Sequence, residues 1–351
     1  MRSGMSTRRA WLWLLAALLV GAPPVQAQHA VTDSAGRTVT LPQDIRRVFA
    51  AGPPAAIALY VLAPERLVGW PRALHANERP YIAAPYRDLP TLGRLTGRDN
   101  TANVEVVLQA RPDLVFDYGA INPTYVSLAE RVQQQTGIPY LLIDGAFANT
   151  AASLRLLGKI LAAEERAERL ARYAEDTFQA LDRALAAIPL AQRPRVYFAR
   201  GPNGLETGTQ GSINTEIIDR VGAVNVAVAF GRQGLATVSP EQLLKWNPDT
   251  IITLEDSFYA AVWSDPLWQS IDAVKRKRVF LAPRLPFGWV DQPPSLNRLI
   301  GVKWLSRLFY PPQFKDDLRA VTRDFYRVFY QVELDEAQLD ALLAKAGEAA
   351  R

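Results

Sequence analysis

The sequence predicts an α/β protein of two α/β lobes with mainly parallel sheets, joined by a single long α-helix. Three observations predict it. Short β-rich runs alternate with helical ones in both halves, an amphipathic stretch without strand character separates them, and one motif occurs once on each side.

In the first half, alternating Val and Thr around Gly36 over residues 31–41 predict a hairpin. A strand follows at 47–51. Pro53-Pro54 then open a helix reaching residue 63, because proline suits the first helical turn. Further strands are expected at 67–70, 114–118 and 140–143, with a helix at 124–135 between the last two. Such alternation implies a mainly parallel sheet.

The middle stretch reads differently. Leu154, Leu157 and Leu161, then Leu170, Ala174, Phe178, Leu181, Leu185 and Ile188, recur at steps of three and four with charged residues between them. A single helix over 153–188 would be about 50 Å long at 1.5 Å per residue, enough to bridge two domains. Two helices with a break near 162–165 are the alternative. Residues 189–194, bounded by Pro189 and Pro194, end the stretch. Strands at 195–199, 250–253 and 278–281 and helices at 214–221 and 295–309 build the second half, and Phe314, Leu318, Val321, Phe325 and Val328 mark a last amphipathic helix. The expected division is therefore a first lobe at 28–150, a linking helix at 151–190 and a second lobe at 191–351.

Residues 1–27 stand apart from both lobes. Arg8 and Arg9 precede an uncharged run at 10–20, then Gly21, Pro23, Pro24 and Val25-Gln26-Ala27, the pattern of a secretory signal peptide cleaved after Ala27. The apolar run is short for a transmembrane helix, which needs about 20 apolar residues. Cleavage leaves 351 − 27 = 324 residues; Arg2, Arg8 and Arg9 leave and no acid does, so the net charge of +5 becomes 5 − 3 = +2. That small charge argues against nucleic acid as a partner. Without cysteine there is no disulfide and no lipid-accepting residue, so a free, soluble mature protein is expected. The two methionines, Met1 and Met5, fall in the presequence, and the two histidines are His29 and His75. A bare soft or borderline metal would want several Cys, His or Met ligands, so any metal cargo should arrive wrapped in something else.

The repeated motif is the most informative feature. Glu105 is followed at plus seven and plus eight by Pro112-Asp113 and a β-rich run; Glu241 is followed in the same way by Pro248-Asp249. Asn103 and Ser239 stand two residues before each Glu as N-caps, and Pro240 takes the first helical position. Each carboxylate is then expected in an exposed first turn. One such Glu would be ordinary helix-dipole complementation, whereas a matched pair suits a two-point docking surface.

No catalytic residue, resident metal or cofactor is expected. G-x-S-x-G and H-E-x-x-H are both missing, and His75 is the one internal imidazole. The neighbours Glu255 and Asp256 point to opposite faces at a strand end and read as solvated charges. Residues 204–212 form a Gly- and Thr-rich loop before a helix. Glycine lets backbone approach a ligand, Thr209 and Ser212 offer hydroxyls, and Arg200 ends the preceding strand, so the loop could hold an anion; it could equally be an ordinary loop before a capped helix. Trp70, Tyr118, Phe258, Tyr259, Trp263, Phe287 and Trp289 fall at expected strand ends, where open α/β sheets bind ligands. The candidate ligand-binding set is Arg200, Thr209, Ser212, Tyr118, Trp70, Tyr259 and Trp289.

These residues together resemble the periplasmic binding proteins of the iron-siderophore, haem and cobalamin uptake family. The resemblance rests on residues 31–39, Leu92-Gly93, Val104-Glu105 with residues 111–115, and Ser239-Pro240-Glu241 with Asn247-Pro248-Asp249. It covers nearly all of the mature chain. Residues 204–214 and 293–301 are more similar to the branch that includes molybdate and tungstate binders beside iron- and nickel-chelate binders. The resemblance implies two lobes on one long helix, a periplasmic location, and docking of Glu105 and Glu241 on arginines of an ABC transporter permease that works with its ATPase. It implies a monomer that carries an iron(III)-siderophore or similar metal chelate; a molybdate or tungstate oxyanion is the next reading, and a periplasmic enzyme the last.

Overall fold

The computed structural model describes residues 28–97, 100–228, 230 and 234–347. The expected signal peptide lies outside the described residues.

A hairpin of β1 (Gln28–Thr32) and β2 (Thr38–Pro42) opens the chain, turning at Gly36 with φ 77°. β3 (Val48–Ala50), α1 (Pro53–Leu62), α2 (Val104–Ala110), β4 (Leu114–Gly119), α3 (Pro123–Thr136) and β5 (Tyr140–Asp144) follow. β3, β4 and β5 pair in parallel, with Val48 opposite Leu114 and Val115 opposite Tyr140. The expected strand at 67–70 is reduced to single bridges, Val48 to Leu67 and Trp70 to Thr91.

Next come α4 (Thr150–Ile160) and α5 (Glu164–Ala186), then β6 (Arg195–Ala199), β7 (Glu206–Gly208), α6 (Glu216–Arg220), β8 (Val224–Asn225) and β9 (Leu235–Thr237). α7 (Pro240–Trp246), β10 (Thr250–Thr253), α8 (Asp256–Ala261), α9 (Pro266–Gln269), α10 (Asp272–Lys275) and β11 (Val279–Leu281) complete the second sheet region. Its strands lie in the order β11-β10-β6-β8, all parallel. β7 and β9 form a separate antiparallel pair. α11 (Arg298–Phe309), α12 (Leu318–Phe325), a π-helical turn at Tyr326–Tyr330 and α13 (Glu336–Leu343) end the described chain.

The sheets position everything else because both their faces are covered. In β4, Leu114, Phe116 and Tyr118 point into a large core that runs through both lobes, while Val115 points into a smaller core of the first lobe with Phe49, Val107 and Val132. In β6, Val196 and Phe198 join the large core, and Tyr197 and Ala199 join a core of the second lobe with Phe258, Ile251 and Trp268. Side chains alternate at period two, and burial on both faces explains the near-continuous apolar runs of parallel strands.

The long helix of the link is present, but the expectation of one helix over 153–188 is corrected. α4 stops at Ile160, Ala162 turns left-handed with φ 45°, and the Ala163 amide donates to the Gly158 carbonyl at 2.8 Å, a Schellman closure. The helices then fold back on each other. A Cβ at Gly158 would sit 2.4 Å from the Ala167 methyl, so glycine is what permits the close approach. Arg155 fastens the pair, bonding Glu168 at 2.7 Å and Glu175 at 2.6 Å. α5 alone, at 23 residues, spans about 35 Å.

The last helices follow the second sheet in the chain yet pack on α1 of the first lobe. The Tyr60 hydroxyl donates to the Tyr330 carbonyl at 2.6 Å, and the Tyr81 hydroxyl donates to that of Gln338 at 3.1 Å. Arg166 of α5 joins them, donating to the carbonyls of Val61 and Val328.

Candidate ligand-binding site

A cavity of about 680 Å³ opens between the lobes at the carboxyl ends of β4 and β6, where an open parallel sheet leaves room for a ligand. The first lobe lines it with Arg72, Arg94, Asp117 and Tyr118, and the second with Arg200, Asn214 and Asp291. Three arginines from two lobes thus line one space.

Acids hold two of these arginines, Arg200 and Arg72. Arg200, only 8% exposed, donates from Nε to Glu206 at 3.0 Å and pairs through Nη1 with the buried Asp291. Asp291 also accepts from the Asn214 amide at 2.9 Å. Arg72 grips Glu78 with two bonds of 2.8 and 2.6 Å, and Glu78 in turn accepts the His75 amide. Among the described residues Asp117 has no such cation as a bonded partner. It accepts from the Thr96 hydroxyl at 3.2 Å and from the Tyr118 amide, but burial outweighs these bonds and pushes its carboxyl up to about 6. Burial likewise pushes the Tyr118 phenol upward.

Behind the cavity the lobes are tied by Arg298, which is fully enclosed. It donates to the Gly145 carbonyl of the first lobe at 2.9 Å and to the Ile213 carbonyl and Glu216 carboxylate of the second, with its plane 4.1 Å from the Phe147 ring centroid. Glu216 completes the tie by accepting the Phe147 amide at 2.9 Å.

Of the seven sequence candidates, Arg200 and Tyr118 line this cavity. Thr209 and Ser212 are corrected to supporting positions. Thr209 is buried and donates to the Gly234 carbonyl, and Ser212 donates to the Asn214 side chain, so the loop places Asn214. The loop turns partly on itself. Its amides close on its own carbonyls, Ser212 on Thr209 and Thr215 on Ser212, and the helix that follows begins with Glu216 and Asp219. Trp70, Trp289 and Tyr259 are corrected to packing residues. Trp70 sits among Tyr60 and Phe287 with its indole N–H on the Tyr86 carbonyl. Trp289 is wholly buried against Trp304 and donates to the Tyr326 hydroxyl. Tyr259 stacks edge-on to Trp263 beside the Lys345 ammonium, away from the cavity. Sequence reasoning missed Asp117 although its signal was there, a charge inside the buried run Leu-Val-Phe-Asp-Tyr. Arg72 and Arg94 lie in loops and carried none.

The two motif glutamates are exposed on α2 and α7, and the surroundings match in detail. Asn103 caps the Val106 amide and Ser239 caps the Gln242 amide. Each seven-residue helix ends on a left-handed residue, Arg111 at φ 45° and Asn247 at φ 41°. Asp113 receives the Arg46 and Arg47 amides, as Asp249 receives that of Arg195. Arg47 then clamps the carbonyls of Ala110 and Arg111, and Arg195 clamps those of Trp246 and Asn247. Hydrogen bonds to its own amide and to Ser239 hold the Glu241 carboxyl below its usual range.

A family model described as periplasmic binding protein matches residues 70–285. The molybdate-binding protein MolA of Haemophilus influenzae is 28% identical over 333 residues, covering 87% of this chain and 92% of the relative. A vitamin B12-binding protein of Salmonella choleraesuis is 29% identical over 216 residues, covering 56% of this chain and 77% of its own. Among solved structures, an ABC transporter solute binding protein from Sulfurospirillum deleyianum superposes with TM-score 0.82 at 28% identity, covering 90% of this chain and 99% of that one.

Proposed function

Because the chain belongs to the periplasmic binding protein family, we propose that it is the solute-binding component of an ABC importer, and that its solute is an anionic metal chelate such as an iron(III)-siderophore. The observation that carries this reading is the cavity with arginines from both lobes. At about 30 Å³ per water-sized volume, a four-oxygen anion occupies on the order of 100 Å³. The cavity of about 680 Å³ leaves room for a larger solute, within the range of drug-sized ligand pockets. Arginine suits the carboxylate or phenolate edges of a chelate, since its planar fork binds them with two bonds.

A molybdate or tungstate oxyanion is the second reading, favoured by the likeness to the molybdate-binding relative along 87% of the chain. On either reading the protein binds and releases without turnover. Ligand contacts are assigned to Arg72, Arg94, Asp117, Tyr118, Arg200, Asn214 and Asp291. Glu105 and Glu241 dock on arginines of the permease, which is driven by its ATPase. The mature protein begins after Ala27, works as a monomer in the periplasm, and divides into lobes at 28–150 and 191–351 with the link at 151–190.

Native mass spectrometry with elemental analysis, on protein purified gently from its own cells, tests the solute. The chelate reading expects iron or another metal together with an organic mass. Molybdenum or tungsten without an organic mass would decide for the oxyanion, and a metal-free organic solute would refute both.

A further inference from the structure

The matched helices α2 and α7 share one property that their carboxylates do not explain. Leu108 is 47% exposed and Leu244 is 44% exposed, two of five large apolar side chains so exposed among the described residues. Each stands three positions after the motif glutamate, one turn along the same helical face. The residue before each, Val107 and Leu243, is fully buried and anchors its helix. Caps, left-handed ends and the Arg47 and Arg195 clamps hold both helices the same way, so each leucine is presented rigidly.

We propose that Leu108 and Leu244 are the apolar halves of a two-part docking surface, in which each lobe seats a leucine in an apolar socket of the importer's permease beside the cation that meets Glu105 or Glu241. The proposal rests on the docking reading above and adds to it the residues that supply affinity. A single exposed leucine needs no explanation. Here two recur at one motif position in two lobes, each next to a carboxylate, so the partner must offer the same pair of features twice. A transporter with two similar membrane subunits does so. A second copy of this chain paired through the same patch would bring glutamates together, and an anionic lipid surface would repel them.

The test measures docking of the full mature chain on its permease–ATPase complex in nanodiscs, over a range of salt, for Leu108→Gln, Leu244→Gln and the double variant, beside Glu105→Gln and Glu241→Gln. Each leucine variant should weaken docking roughly tenfold, the effect of losing most of one leucine's burial. The salt dependence should stay that of the wild type, because no charge changes; each glutamate variant should flatten it. Melting temperature and solute occupancy by native mass spectrometry should be unchanged in all of them. Wild-type docking by the leucine variants alongside weakened glutamate variants would overturn the proposal and leave the docking reading standing. Unchanged docking by the glutamate variants, or no docking by the wild type, would remove the reading itself. Equal binding to protein-free nanodiscs, or self-association lost in the leucine variants, would assign the leucines to a membrane or to a second copy and overturn the proposal.

Discussion

The two lobes are nearly copies of each other at the edges that carry α2 and α7 and unlike each other at the cleft. α2 and α7 agree in length, cap, left-handed end, clamping arginine and exposed Glu and Leu. At the cleft the first lobe offers two arginines, Arg72 and Arg94, and a buried carboxyl, Asp117, that has no bonded cation among the described residues. The second offers one arginine, Arg200, held between Glu206 and Asp291. Matched edges suit a partner with two similar halves, whereas an unmatched cleft suits a solute that has two different faces.

Reversing charge at the edges should have the largest effect on uptake. Glu105→Lys and Glu241→Lys should each lower uptake at least roughly thirtyfold, since breaking a docking charge pair costs about 2 kcal/mol or more, with solute affinity unchanged by calorimetry. Unequal losses would break the equivalence of the edges, and lost affinity would move the residue out of docking altogether.

Arg298→Ala tests where the lobes meet. It strips a buried cation from Glu216 and from carbonyls of both lobes, so unfolding stability in urea should fall by about 3 kcal/mol. A loss confined to one of two separate transitions would mean that the lobes are not coupled there.

Asp117→Asn tests the cleft's asymmetry through pH. Burial raises the folded carboxyl from 3.8 to about 6, so the folded state holds its proton more tightly than the unfolded one. Stability therefore falls as pH rises through that window, and the whole deficit is present above about pH 6. The amide variant lacks the deficit and should be more stable at pH 7 by about 3 kcal/mol, and no more stable at pH 4, in paired urea titrations. It should also bind an anionic solute more tightly. Weaker binding would instead make Asp117 the partner of a donor or cation on the solute. The smallest effect sharpens the edges again: Asn103→Ala and Ser239→Ala should each cost about 1 kcal/mol in thermal unfolding, and by similar amounts.

How much of this was legible follows from what repeats. The parallel sheets were readable from alternating strands and helices, and the two edges from Glu, Pro and Asp at one spacing, because local rules of capping and turn chemistry set them. The break in the link was readable only as the alternative near 162–165, since Ala162 is no glycine and its left-handed turn accompanies the close packing of Gly158 on Ala167. At the cleft, Arg200 and Tyr118 were found from strand ends, but Trp70 and Trp289 were misassigned. A strand end tells where a side chain starts and not which way it points, and large aromatics there gain most from the core. Arg72 and Arg94 reach the cavity from loops, which only the tertiary fold places.

The strap from Tyr326 to Gln338 sets a schedule for assembly. Eight of the ten residues of α1 are buried, and the Tyr60 hydroxyl on that helix is satisfied by a carbonyl 270 positions later. Ribosomes make α1 early and its cover nearly last. The outer side of α1 therefore stays uncovered until the whole polypeptide is available, and truncation before α12 should leave a sticky, chaperone-seeking product instead of a smaller native domain.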